Sequence, residues 1–85
     1  MFTEKQVRMA AKLYEARDSM RGLFGARYQE RLSPYREIIR GAMAKHSCDE
    51  LEAVLEIKRF DPSLDGVELA MLLAAAVEEV ESTSA

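Results

Sequence analysis

His46 and Cys48 are the only residues of their types in the chain, two positions apart. A thiol beside an imidazole is the composition of a nucleophile and its base, but such a pair needs a third group to orient the imidazole. The sequence offers no such group. A helix starting near Cys48 would favour the thiolate through its dipole, while Asp49 and Glu50 push the other way. Cysteine is also a common buried residue, so the pair reads as a packed thiol beside a surface histidine. No catalytic residue is assigned, and the chain is expected not to be an enzyme.

The carboxylates Asp49, Glu50 and Glu52, and Glu78 and Glu79, could in principle serve acid–base or metal chemistry. None is matched by the Glu-x-x-His pattern of metal sites in helical bundles, and acidic residues are expected at helix starts anyway. No Walker-type or dinucleotide loop is present, so neither a metal nor a cofactor is expected. Gly22-Leu23-Phe24-Gly25 matches the GXXG string of RNA-binding KH domains, but without surrounding strands it reads as a break in a helix. The five methionines read as adaptable core or interface filling.

The arginines carry the clearest pattern. Arg17 and Arg21, Arg27 and Arg31, and Arg36 and Arg40 each stand four residues apart, one helical turn, with Tyr14, Tyr28 and Tyr35 nearby. Guanidinium groups fork onto carboxylates or phosphates, and tyrosines can stack with them or anchor an interface. These nine residues are the expected partner-binding set, facing an acidic protein surface. A nucleotide or RNA is the alternative ligand. Against both stands the plainer possibility that the arginines are solvated, or paired with Glu15, Asp18, Glu30, Glu37 and the acidic second half of the chain.

That second half is distinct. Residues 1–46 hold ten Lys or Arg against five Asp or Glu, and residues 47–85 two against ten, +5 followed by −8. Such a division bears on partners and orientation, not on fold. It also bears on DNA. The segments on either side of His46-Ser47 imitate a helix-turn-helix, yet the second of them carries Asp49, Glu50, Glu52 and Glu56, which would face the phosphates. Major-groove binding is therefore not expected.

The elements that position these residues are all helical. Nothing alternates with a strand period, and Gly and Pro are few, four and two. Thr3 with Gln6 forms a capping box, with Phe2 and Val7 as its hydrophobic staple. The spacing predicts helices over about 4–21, 26–32, 34–45, 48–59 and 66–81. The breaks fall at Gly22 to Gly25, at Ser33-Pro34, at a second capping box of Ser47 with Glu50, and at Phe60-Asp61-Pro62-Ser63. Residues 1–81 form one domain, and 82–85 a disordered tail. The expected fold is all-α, a small bundle of four to five helices, dimeric.

The dimer follows from apolar surface in excess of what so small a chain can cover. Residues 67–77 are apolar at ten of eleven positions, and a helix that is apolar all round must be covered on several sides. Met9, Leu13 and Met20 form a coiled-coil-like seam, and with Leu69, Met71 and Leu73 they are the expected self-association residues. One cysteine excludes an intramolecular disulfide and one histidine disfavours structural zinc, so self-association is the simplest supplement to the core. The longest apolar run, Leu69 to Val77, is too short to cross a bilayer, which takes about 20 residues. No secretory signal is read at the start, so a cytoplasmic location is expected.

Overall fold

The computed structural model describes the backbone of residues 4–84 and the side chains of residues 4, 7, 8 and 11–82. Their order is α1 (Glu4–Phe24), a 3-10 turn (Gly25–Arg27), α2 (Tyr28–His46), α3 (Glu50–Phe60) and α4 (Gly66–Ser84), with no strand among the described residues. The fold is all-α. The cap and staple at Phe2 and Thr3 lie outside the described residues.

α1 runs through Gly22 and stops only at Gly25, whose φ of +53° is open to glycine at little cost. The chain then turns once and enters α2. The helices expected over 26–32 and 34–45 are one: α2 continues through Pro34. Pro34 and Glu30 are both exposed, so the Glu30 carbonyl that loses its helical donor stands on the solvent side. On the inner side Tyr28, Leu32 and Ile39 are buried along one stripe spanning both sides of the proline. Burial of that stripe outweighs the local preference to break.

The second capping box is corrected as well. Ser47 closes α2 in the left-handed region, φ +52°, with its N–H on the Met43 carbonyl. Asp49 is the cap of α3, its Oδ1 accepting from Glu52 N–H at 2.8 Å. Aspartate caps as well as serine does, and the two-residue offset lets Ser47 finish one helix before Asp49 begins the next. Cys48 consequently lies between the helices and not in the first turn of α3. The stop at 60–63 is an Asx turn: Asp61 Oδ1 accepts from Ser63 N–H at 3.3 Å and from Ser63 Oγ at 2.6 Å. α4 extends through Ser84, three residues past the expected end of the helix. Ala85 lies outside the described residues.

α4 is the central element and packs against α1, α2 and α3. Met71, Leu72, Ala74, Ala75, Ala76 and Val77 are buried, and the run of alanines lets the neighbouring helices approach closely. This corrects the expected self-association seam. Met20 and Met71 are buried within the chain, while Leu13, Leu69 and Leu73 pack partly buried against the same core. The Met9 side chain lies outside the described ones. The apolar ridges of α1 and α4 cover each other, because α1 folds back along α4.

Candidate functional site

The partner-binding set is positioned by α1 and α2 on either side of the last turns of α4. In α4, Glu78 and Glu81 are three residues apart and face α1, while Glu79 and Ser82, also three apart, face α2. Arg17 and Arg21 reach in from α1, and Arg36 and Arg40 from α2. The one-turn spacing on each helix matches the one-turn spacing of the acceptors.

The resulting clasp is dense. Glu78 Oε1 accepts from Arg21 Nη2 and from Tyr28 Oη, each at 3.0 Å. Glu79 accepts from Arg36 Nε at 2.6 Å and from Arg40 Nε at 3.0 Å, with Arg40 Nη2 at 2.9 Å from its other oxygen. Arg36 Nη2 also donates to Ser82 Oγ at 3.0 Å, and Arg17 Nη1 donates to Glu81. Arg17 lies 4.9 Å from the centre of the Tyr14 ring and Arg21 5.5 Å from that of Tyr28, within cation–π range. The buried Arg17 Nε has no hydrogen-bond partner; Asp18 Oδ1 is 3.6 Å away.

Glu78 and Glu79 are both buried. At Glu79 the hydrogen bonds from Arg40 and Arg36 outweigh burial and hold it below the usual carboxylate range. Burial, with the Glu78 hydrogen bond, pushes the Tyr28 hydroxyl well up. The Arg40 guanidinium is raised by its hydrogen bond to Glu79. At Arg17 burial acts downward, and the Glu81 bond overcomes it to give a net rise. Glu79, Arg17 and Arg40 are thus held charged and Tyr28 is held as a donor, which suits a structural brace and is poor for proton transfer.

The nine expected binding residues do not form a single outward face. Arg17, Arg21, Tyr28, Arg36 and Arg40 gather in the clasp, bound to carboxylates of the same chain. Tyr28 is buried, with no free ring face to stack on a base. Tyr14 is partly exposed, with Arg17 over its ring. Arg27, Arg31 and Tyr35 lie elsewhere: Arg27 on the turn, and Arg31 and Tyr35 bordering a groove between α2 and α4. Arg31 stands 6.0 Å from the centre of the Phe24 ring.

Reasoning from sequence left the acceptors Glu78, Glu79, Glu81 and Ser82 without specific partners. Their signal was the acidic cluster directly after the apolar run of α4, which had to leave the core beside whatever covered that run.

Cys48 and His46 border a shallow pocket with Glu52, Leu55, Glu56 and Arg59. Cys48 Sγ points to the Ala42 carbonyl at 3.9 Å. Burial, followed by Glu52, Asp49 and Glu56, raises the thiol, opposite to what a nucleophile needs. Among the described residues no three His, Cys, Asp or Glu gather as a metal site. Nor is any helix among them long and apolar enough to cross a membrane.

No family model, curated protein or solved structure matches the chain. Its functional reading therefore rests on its own surface.

Proposed function

We propose that this protein is a non-catalytic interaction module that acts as a homodimer in the cytoplasm and binds an acidic protein partner. The observation that supports the reading is how its cations divide. Arg17, Arg21, Arg36 and Arg40 are consumed by Glu78, Glu79 and Glu81. Among the described residues Arg27, Arg31 and Lys45 have no carboxylate in ion-pairing range.

Arg31, Ile38 and Lys45 recur at spacings of seven and seven along one stripe of α2, and Arg27 stands four residues before Arg31 on the turn that leads into the helix. Ile38 is exposed on it. Cations flanking an exposed apolar residue, with no carboxylate of their own chain in ion-pairing range among the described residues, suit a polypeptide that presents carboxylates beside an apolar side chain. The binding surface is thus the outer stripe of α2, on the flank away from the clasp.

Capture by the immobilised protein and by its Arg27→Glu/Arg31→Glu variant, at low and at high salt, tests the reading. Partners that are acidic, released by salt and lost on charge reversal support it. The same partners held equally by both proteins would refute it.

A further inference from the structure

α1 and α2 are separated by a single 3-10 turn, Gly25–Arg27, closed by the Tyr28 N–H on the Gly25 carbonyl. The chain is helical up to Phe24, φ −97° and ψ −17°, and helical again at Tyr28, φ −53° and ψ −52°. Between them the one left-handed residue is Gly25, at φ +53°. Rotating Gly25 into the right-handed region, with a smaller adjustment at Arg27 (φ −91°, ψ 3°), joins α1 and α2 into one helix. Glycine takes either conformation about equally well, so the fold-back of α1 depends on what the helix packs against and not on its turn.

That surface is α4. α1 lies mainly along α4 and touches α2 lightly. Among the described residues, the hydrogen bonds from α1 side chains to other helices end on α4, Arg17 on Glu81 and Arg21 on Glu78. Met20 is buried and Leu13 half-buried in the same core. The α4 of another molecule offers every one of these contacts equally.

We propose that two copies of the chain dimerise by exchanging α1: Gly25 straightens in both, and each α1 lies on the α4 of its mate, with its Arg17 and Arg21 on the mate's Glu81 and Glu78. The inference deepens the self-association in the function above and rests on that part alone. The seam that one subunit closes on itself thereby becomes the contact between two.

The occupant is a second copy because the fit already exists within one sequence. Exchange keeps the ion pairs and the buried methionine and changes only the hinge, which makes it a low-cost route to a dimer. It also adds a contact at the twofold axis, where the two hinges cross. Nothing lies within 4 Å of where a side chain would begin at Gly22 or Gly25, so the two backbones can pass closely. Leu23, 64% exposed in the single subunit, stands within one turn of the crossing. Covering it favours the exchanged form over two closed subunits.

Charge complementation tests the exchange. Arg17→Glu sets a carboxylate against Glu81, and Glu81→Arg sets a cation against Arg17, so each variant alone carries like charges at the α1–α4 contact. Refolded together from urea, the two variants build an exchanged dimer with one native contact and one in which the native pair is reversed. Native mass spectrometry should find the one-to-one mixed dimer well above the statistical half, with a thermal midpoint above that of either variant alone. The wild type should sediment as a dimer at the top of a concentration series. Gly25→Ala should tighten that dimer by at least about a hundredfold, because alanine is disfavoured in the left-handed turn and favoured in the helix at both hinges. A Gly-Ser insertion after Gly25, which relaxes the turn, should loosen it. A wild-type monomer at every concentration would overturn both the self-association and the exchange. A wild-type dimer whose charge variants mix statistically, or which is indifferent to both hinge changes, would overturn the exchange and leave self-association standing. Should the charge variants fail to fold both alone and mixed, the two hinge changes decide on the same terms.

Discussion

Replacing Glu79 by glutamine tests the clasp with little change of shape. Glutamine keeps an oxygen where Arg36 Nε donates at 2.6 Å but removes the charge. A hydrogen bond to a charged group contributes about 1.5–3 kcal/mol, roughly twice a neutral one, so the substitution forfeits about half of that at Arg36. The Arg36 side chain is 20% exposed, which keeps most of the effect, while that of Arg40 is 56% exposed and water takes over its donors. The net loss is about 0.7–1.5 kcal/mol, a fall in thermal midpoint of about 3–12 °C for a domain of this size.

The pH dependence fixes the cause. Glu79 titrates below its ordinary 4.5 in the folded protein. Its contribution is complete above the unfolded value and disappears as pH falls through the folded one. Thermal melts of wild type and Glu79→Gln should therefore differ at neutral pH and converge only as acid takes the pH below the lowered folded value, where both side chains are uncharged. Equal midpoints at neutral pH, or a gap that persists in acid, would refute the electrostatic account.

Two further outcomes follow from local geometry. Pro34→Ala should stabilise the protein by about 2–2.6 kcal/mol in urea titration, because an interior helical proline costs about 3 kcal/mol relative to alanine, offset by about 0.4–1 kcal/mol from the stiffer unfolded chain. A destabilised variant would mean that the ring itself is needed. Cys48 should react with a disulfide reagent more slowly at mildly alkaline pH than the same thiol in urea-unfolded chain, since burial and three carboxylates raise it; faster reaction in the folded state would contradict the placement.

Helical class and most helix ends were legible because Gly25, Asp61 and Pro62 act locally. The apolar run of α4 announced that it would be surrounded on several sides. Two boundaries were misread for a common reason. Ser33-Pro34 and Ser47 look like starts in isolation, but Leu32 and Ile39 bind α2 into one buried stripe, and Asp49 competes successfully for the cap of α3. The site was legible in its residues and not in its pairing. Spacing showed that Arg17 and Arg21, and Arg36 and Arg40, lie one turn apart. Only the return of α4 between α1 and α2 determines that Glu78, Glu79 and Glu81 meet them, a matter of contacts some forty to sixty residues apart in the chain.

The central position of α4 has a further consequence, for synthesis. Leu32, Ile39 and Val54 are made well before Met71 to Val77, against which they close. A ribosome adding about 5–20 residues each second needs roughly one to four seconds to translate a helix of this length, and during that interval the earlier helices display their greasy sides to the crowded cell. The nascent chain is most dependent on chaperones just before its final helix emerges, and a stall there would leave a sticky intermediate instead of a smaller folded protein.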